Sequence, residues 1–224
     1  MGFFEQREVN MFYERHQAWS VLLRLFHWSF VLSIITLVVT GLYIHFPWTN
    51  TMVIAGSSFP MATMRYIHFI AGFVFSAALM VRAYLLLFGN AQERFWDFLP
   101  ITPRNIINLF KTLGRYLYLN VGHEHRLGHN ALAGIAYFVT FLVAAVQVAG
   151  GFFLLYPEST FWQKWGTLLF VSQQQGRGVH YLIMWYFIAF AAIHIYIVVW
   201  NDIFSRNGLI SSIFSGGKYI SEDY

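Results

Sequence analysis

The chain has 224 residues, of which 58% are hydrophobic, 20% are aromatic and only 11% are charged. Soluble globular domains carry about 25% charged residues, so this composition excludes an ordinary water-soluble protein and indicates a lipid environment. The chain contains no cysteine, which excludes disulfides, iron–sulfur clusters, thiolate zinc sites and covalently attached c-type haem within it.

The segment before the first apolar run carries charges of both signs, among them Glu5, Arg7 and Glu8. It lacks the short basic region and the small-residue cleavage site of a secretory signal peptide. We therefore expect the first apolar segment to be retained as a helix.

Four apolar segments are long enough to cross a hydrocarbon core of roughly 30 Å, which takes about 20 helical residues. They are Val21–Phe46, Met64–Phe88, Gly128–Tyr156 and Gly178–Ile203. No internal repeat divides the chain. The sequence predicts one domain over residues 1–224, an all-α integral membrane four-helix bundle.

The connections between the segments differ in charge. Residues 47–63 carry no charge, whereas residues 89–127 carry Arg94, Arg104, Lys111, Arg115 and Arg126. Basic residues favour the cytoplasmic side of a membrane. We therefore expect the middle connection and both termini to be cytoplasmic and the other two connections to lie outside.

The middle connection is expected to contain an amphipathic helix. Residues 105–119 place their apolar side chains on one helical face and Lys111 and Arg115 on the other. This pattern is typical of a helix that lies in the membrane interface, and it is equally compatible with a helix on the protein surface. The apolar residues are Ile106, Leu109, Phe110, Leu113 and Leu117.

Two histidines of the fourth segment are expected to face the interior of the bundle at two depths. His180 and His194 lie 14 residues apart, which in an α-helix is about 40° in direction and about 21 Å in height. The topology places His68 level with His180 near the outer side, and His27 level with His194 near the cytoplasmic side. Two neutral imidazoles fill both axial positions of a haem iron, an arrangement that favours electron transfer over oxygen chemistry. A single buried histidine is more commonly a hydrogen-bonded structural residue, so the prediction of two haems rests on the paired set.

Four arginines are candidates for binding haem propionates. Arg24, Arg65 and Arg177 each lie three residues before one of the histidines, and a guanidinium can bind a carboxylate through two parallel hydrogen bonds. Arg82 lies deep in the second segment, near the level of the cytoplasmic haem. Arginines at the ends of membrane helices also commonly extend toward the lipid headgroups without binding a cofactor.

These residues resemble the cytochrome b subunit of membrane-bound nickel–iron hydrogenases over nearly the whole chain. The histidine spacing is shared with the cytochrome subunit of formate dehydrogenases, whereas the Phe-Gly-Asn and Gly-His-Asn stretches are more similar to the hydrogenase branch. The matching stretches are residues 24–28, 65–69, Ala71-Gly72, 88–90, 128–130 and the helix with His180 and His194.

The resemblance implies an electron-transfer subunit with two haem b groups, whose axial ligands are His27, His68, His180 and His194. It implies that a periplasmic hydrogenase docks through its iron–sulfur small subunit, with a membrane anchor helix beside the bundle, while the large subunit activates hydrogen. Electrons then pass through both haems to a quinone, menaquinone or ubiquinone, in a bacterial inner membrane. The chain is not expected to activate hydrogen by itself or to bind nucleic acid.

The candidate quinone site lies where the middle connection enters the third segment. His129 and Asn130, with His123 and His125 as weaker candidates, would provide hydrogen bonds to a quinone head group near the cytoplasmic haem. His125 and His129 also have a spacing that suits a metal ion, but two imidazoles without further ligands are weak evidence for one. An ordinary polar loop explains the same residues.

Two other functions remain open from the sequence. The same bundle is expected for the cytochrome of a formate dehydrogenase or another periplasmic oxidoreductase. A haem-free transporter or scaffold, with histidines along a proton path, belongs to a different class.

Overall fold

The computed structural model describes residues 13–49, 59–99, 101–116, 131–205 and 208–221. Within these residues the chain is almost entirely helical, with a short pair of strands. The elements are β1 (Tyr13–Gln17), α1 (Val21–His45), α2 (Pro60–Phe88), α3 (Phe95–Phe98), α4 (Pro103–Tyr116), α5 (Ala131–Leu155), α6 (Thr160–Phe170), α7 (Gln173–Ser205), α8 (Leu209–Ser215) and β2 (Gly217–Ser221).

Four of the described helices, α1, α2, α5 and α7, are long and apolar enough to cross a membrane, as predicted. α1 packs along α2, α5 packs along α7, and α2 also contacts α5. Large apolar side chains on these helices remain exposed, such as Leu32 and Ile195, each at 62%. Such exposure suits helices that are surrounded by lipid rather than water.

The helix ends differ slightly from the predicted ones. Pro60 occupies the first turn of α2, where a backbone N–H has no hydrogen-bond partner within the helix, so its absence from proline costs nothing. The helix therefore begins before Met64. α7 begins at Gln173, before the predicted Gly178, because a polar stretch extends the helix past its apolar part. Ser20 caps α1 by accepting a hydrogen bond from the backbone N–H of Leu23.

The two ends of the described part of the chain form an antiparallel pair of strands, with Tyr13 opposite Ser221 and Gln17 opposite Gly217. Beside the strands, Trp19 Nε1 donates a hydrogen bond of 3.0 Å to Ser212 Oγ. We call this end of the bundle, where α1 begins and α7 ends, the terminal end. The strand pair places both ends of the described chain on one side, as the topology prediction requires.

A buried carboxylate joins α1 to the end of α2. Glu93 is 1% exposed, and its carboxylate accepts the backbone N–H of Ser20 at 2.7 Å and that of Asn90 at 3.1 Å. Arg82 Nη1 donates to the Glu93 carbonyl oxygen at 3.2 Å. The beginning of α1 is thus held against the turn that follows α2.

α4 confirms the predicted amphipathic helix between the second and third spans. Its buried side chains include two asparagines: Asn105 Nδ2 donates to the carbonyl oxygen of Leu99 at 2.8 Å, and Asn108 Oδ1 accepts the N–H of Ala131 at 2.9 Å. Ile106 and Phe110 point away from the protein, at 41% and 66% exposure. An apolar face directed away from the protein is what a helix lying in the membrane interface requires.

The connection between α5 and α7 contains a helix, α6, that the sequence does not predict. Ser159 caps this helix by accepting the N–H of Trp162, and Gly166 and Phe170 are its buried residues. The Cβ of any larger residue at position 166 would overlap the ring of Phe153, so the glycine permits a close crossing of α6 and α5.

Candidate functional site

His68 on α2 and His180 on α7 lie side by side near the end of the bundle opposite to the termini. Their ring centroids are 6.4 Å apart and their planes are inclined by 58°. The Nδ1 atom of His68 lies 2.8 Å from Thr40 Oγ1 of α1. Three helices therefore contribute to this cluster, which we call the distal pair.

The spacing of the distal pair suits two axial ligands on one iron. An imidazole nitrogen binds a first-row metal at about 2.0 Å and the ring centre lies roughly 1 Å beyond it, so two axial imidazoles have centres about 6 Å apart. The observed separation is 6.4 Å. His180 Nδ1 is buried and has no hydrogen-bond partner among the described residues, so this polar atom is available to a ligand or a proton acceptor.

Glycines bring helix backbones close to the distal pair. A Cβ on Gly41 would lie 3.4 Å from His68 Cε1, and Cβ atoms on Gly150 and Gly151 would lie 3.6 and 3.5 Å from the ring of His180. A Cβ on Gly72, one turn after His68, would meet nothing within 4 Å. The cluster combines tightly packed imidazoles with open space beside them, which suits a flat macrocycle.

His27 on α1 and His194 on α7 form the second group, the proximal pair, near the terminal end. His27 lies in the second turn of α1 and His194 lies about three turns before the end of α7, so both are near the end of the bundle where α1 begins and α7 ends. His194 Nδ1 lies 3.4 Å from the hydroxyl of Tyr137, and its ring stacks on Phe190 with a 6° angle between planes. His27 Nδ1 is buried without a hydrogen-bond partner in the described part of the chain.

Apolar aromatic rings separate the two pairs. Phe30 stacks on Phe75 at 4.5 Å, and Phe75 meets Phe187 edge to face at 5.9 Å. Phe187 is 4% exposed and lies on α7 midway between His180 and His194. The region between the pairs is therefore filled by buried apolar side chains, so a charge placed there would be poorly solvated.

Gln147 on α5 also contacts the distal pair through the backbone. Its Nε2 donates to the carbonyl oxygen of His180 at 3.2 Å, while its Oε1 is buried without a hydrogen-bond partner among the described residues. This interhelical hydrogen bond ties α5 to α7 at the level of His180.

The four arginines proposed for propionates differ in their surroundings. Arg65 and Arg177 are exposed, each one turn before a histidine of the distal pair. Arg24 donates from Nη1 to the carbonyl oxygen of Phe214 and lies one turn before His27. Arg82 is 8% exposed and donates to Glu93, so this arginine has a structural partner. Propionate binding by these residues stays a prediction.

The quinone candidates His123, His125, His129 and Asn130 lie outside the described residues. The structure does place the residue that follows them: the N–H of Ala131 is bound to Asn108 of α4. The first turn of α5 is thereby fixed against α4 at the terminal end of the bundle.

Two further histidines belong to neither pair. His45, at the end of α1, is exposed and stacks on Tyr181 at 4.3 Å. His16 on β1 forms an ion pair of 3.2 Å with Glu14. Both histidines make contacts with neighbouring side chains at the protein surface, which is typical of structural residues.

Sequence reasoning missed Thr40 and Tyr137, the hydroxyl residues that contact His68 and His194. Each lies on a different helix from the histidine that it contacts, so the contact depends on the rotation of two helices about their axes. The sequence contains one indication that Thr40 lies near a histidine pair. Thr40 directly precedes Gly41, which lies 14 residues after His27 on the same helical face.

The chain resembles known proteins over most of its length. Residues 18–216 match the family model described as prokaryotic cytochrome b561. Two relatives bear the name probable Ni/Fe-hydrogenase B-type cytochrome subunit. The one from Azotobacter vinelandii is 32% identical, covering 90% of this chain and 87% of the relative. The one from Rhizobium leguminosarum bv. viciae is 31% identical, covering 89% and 87%.

A third relative, the probable Ni/Fe-hydrogenase 1 B-type cytochrome subunit of Escherichia coli strain K12, is 29% identical. That alignment covers 90% of this chain and 89% of the relative. The family match over residues 18–216 extends across all four candidate membrane spans.

Proposed function

Because the chain belongs to the prokaryotic cytochrome b561 family, we propose that it is the di-haem cytochrome b subunit of a membrane-bound nickel–iron hydrogenase. The observation that carries the proposal is the pairing of His68 with His180 at 6.4 Å, on a helix that also carries His194. The names of the relatives support the hydrogenase as the partner.

In this proposal His68 and His180 hold one haem b near the outer face, and His27 and His194 hold the other near the cytoplasmic face. When bound, the two haems would accept and release single electrons. The chain itself holds the four imidazoles on three helices, and the packed rings of Phe30, Phe75 and Phe187 would keep water from the space between the two pairs.

The positions of the two pairs define the direction of the proposed electron transfer across the membrane. The iron–sulfur small subunit of the hydrogenase docks outside, beside the distal pair, with its anchor helix along the bundle and the large subunit beyond it. Electrons leave from the proximal pair to a quinone at residues 123–130. The contact between Asn108 and Ala131 supports this position, because it holds the start of α5 at the same end of the bundle as His194.

The surrounding membrane is proposed to be the bacterial inner membrane, with both termini in the cytoplasm. Five basic residues in the connection between α2 and α5 support this orientation. The pairing of β1 with β2 agrees with it, since it places both ends of the described chain on one side.

Alanine substitutions of the four histidines test the haem assignment. We expect His68→Ala and His180→Ala each to remove the same haem, and His27→Ala and His194→Ala each to remove the other. The measurement is the reduced-minus-oxidised absorption spectrum, with haem counted per protein. We expect the reduced b-type band to fall to about half of its wild-type height in each variant, because each pair would hold one haem.

The matched control is His45→Ala, which removes an exposed histidine near the distal pair and should leave both haems in place. Absence of b-type bands from the purified wild-type protein would overturn the proposal. Mild-detergent purification tests the partner, and co-purification of an iron–sulfur hydrogenase small subunit is the expected result.

A further inference from the structure

The two imidazoles of the distal pair differ in their hydrogen bonding. His68 Nδ1 lies 2.8 Å from the hydroxyl oxygen of Thr40, whereas His180 Nδ1 has no partner among the described residues. Thr40 is 3% exposed, so water does not compete for this contact. The contact joins α1 to a histidine of α2 at the level of the proposed outer haem.

The direction of this hydrogen bond follows from the other contacts of Thr40. Its Oγ1 lies 2.6 Å from the carbonyl oxygen of Thr36, one turn earlier in α1. A carbonyl oxygen can only accept, so the single hydroxyl hydrogen of Thr40 is directed to Thr36. The Thr40 oxygen must therefore accept from His68, and the hydrogen of the neutral imidazole lies on Nδ1.

This arrangement leaves the other ring nitrogen of His68, Nε2, with a free lone pair. A metal-bound histidine typically donates its second N–H to an oxygen, which fixes the tautomer and orients the ring. The ring of His68 also lies close to α1, since a Cβ built on the adjacent Gly41 would be in van der Waals contact with His68 Cε1 at 3.4 Å. The ring is therefore held by a hydrogen bond and by packing at the same time.

We propose that Thr40 is a positioning residue that holds His68 in the tautomer required for iron binding through Nε2 and lowers the reduction potential of the outer haem. The inference rests on the proposed function, since it assumes that His68 is an axial ligand. Its physical basis is that a hydrogen bond from Nδ1–H to oxygen makes Nε2 a stronger donor. A stronger donor stabilises the oxidised iron more than the reduced iron.

The test is a redox titration of the purified full-length chain in detergent, followed by the reduced b-type absorption band. The outer haem is identified as the component that is missing in His68→Ala. Thr40→Val keeps the shape of the side chain but removes the hydroxyl, so we expect the outer haem to shift to a higher potential while the inner haem is unchanged. Thr40→Ser keeps the hydroxyl and should retain a potential close to that of the wild type.

Thr36→Val is the matched control on the same helix. The hydroxyl of Thr36 donates to the carbonyl oxygen of Leu32 and, among the described residues, forms no hydrogen bond with a histidine of either pair, so this variant should leave both potentials unchanged. It reproduces the loss of a threonine hydroxyl within α1 without affecting His68.

Three results would overturn the inference: an unchanged outer potential in Thr40→Val with full haem content, equal shifts of both haems, or a Thr40→Ser variant that behaves like Thr40→Val. Thr40→Val could lose the outer haem altogether. In that case, retention of the outer haem in Thr40→Ser supports the role of the hydroxyl, and loss of the outer haem from both variants contradicts that role. A wild-type protein without haem would instead refute the proposed function itself.

Discussion

Glu93 is a single buried carboxylate group on which the packing of two helix ends depends. It accepts one backbone N–H from the beginning of α1 and one from the turn after α2. Gly89 permits this arrangement, since a Cβ there would lie 2.8 Å from Glu93 Oε2. Buried donors that lose their acceptor each cost about 1–3 kcal/mol, so this residue is expected to matter for stability.

We predict that Glu93→Ala lowers the free energy of unfolding by about 2–4 kcal/mol, because Ser20 and Asn90 lose their shared acceptor. Glu93→Gln should cost less, since its amide oxygen can still accept one of the two hydrogen bonds. The measurement is the thermal midpoint in detergent, followed by tryptophan fluorescence.

Glu14→Ala provides the control for Glu93. Its carboxylate pairs with His16, but the Glu14 side chain is 63% exposed, and exposed ion pairs contribute little. Equal midpoints for Glu93→Ala and Glu14→Ala would contradict the structural role of Glu93.

At the residue scale, the sequence was sufficient to select the four histidines but not their hydrogen bonds. His180 and His194 share a helix, so their relative direction follows from helical geometry alone. The contact between Thr40 and His68 depends on how far α1 and α2 are rotated against each other, which no local pattern determines. The hydrogen bond of Arg82 could not be predicted either, because its partner Glu93 lies beyond the end of the second span.

At the scale of elements, α6 is held against α5 by a close crossing. Phe153 is fully buried and stacks on Phe170 at 5.8 Å, while Gly166 lies directly against its ring. The side chains of Gln163 and Gln173 both donate to the carbonyl oxygen of Phe153, at 3.3 and 3.1 Å. The position of α6 therefore depends on the absence of a side chain at residue 166.

We predict that Gly166→Ala lowers stability by about 1–3 kcal/mol, because the added methyl group overlaps the ring of Phe153. The gain in helix propensity from alanine is smaller, roughly 0.5–1 kcal/mol. Thermal midpoints in detergent measure the effect, and Phe153→Leu in the Gly166→Ala background should recover part of the loss.

Lys164→Ala is the control on α6, since Lys164 is exposed and its removal should leave the midpoint nearly unchanged. A Gly166→Ala midpoint at or above that of the wild type would show that the crossing of α6 and α5 is looser than the structure indicates.

Among the elements, the four spans and α4 were predictable because each has a long apolar run or a clear amphipathic pattern. α6 was not predicted, since it is short and its apolar residues Phe161, Trp165 and Leu168 are exposed, which obscures any buried face. β1 and β2 were not predicted either. Each strand has five residues, and their partners lie at opposite ends of the chain.

At the scale of the whole molecule, one helix carries a histidine of each pair. α7 provides His180 for the distal pair and His194 for the proximal pair, whereas α2 and α1 each provide the other histidine of one pair. This arrangement requires four antiparallel spans whose termini lie on one side, which the pairing of β1 with β2 supports. Under the proposed function, the orientation of that side in the membrane decides whether electrons would enter or leave at the distal pair.

The absence of cysteine from the chain allows the orientation to be measured with single introduced cysteines. Glu158 is exposed in the connection between α5 and α6, and Lys111 is exposed on α4. Since these positions lie at opposite ends of the bundle, we predict that a membrane-impermeant maleimide labels Glu158→Cys in intact spheroplasts. Lys111→Cys should be labelled only after the membrane is disrupted.

Glu14→Cys, at the exposed start of the described chain, should behave like Lys111→Cys, because β1 lies at the terminal end. The cysteine-free wild type reports the background labelling. The opposite pattern, with Lys111→Cys and Glu14→Cys labelled in intact spheroplasts and Glu158→Cys protected, would invert the bundle. It would place the distal pair next to the cytoplasm, so the proposed periplasmic hydrogenase could no longer deliver electrons to the haem proposed at His68 and His180.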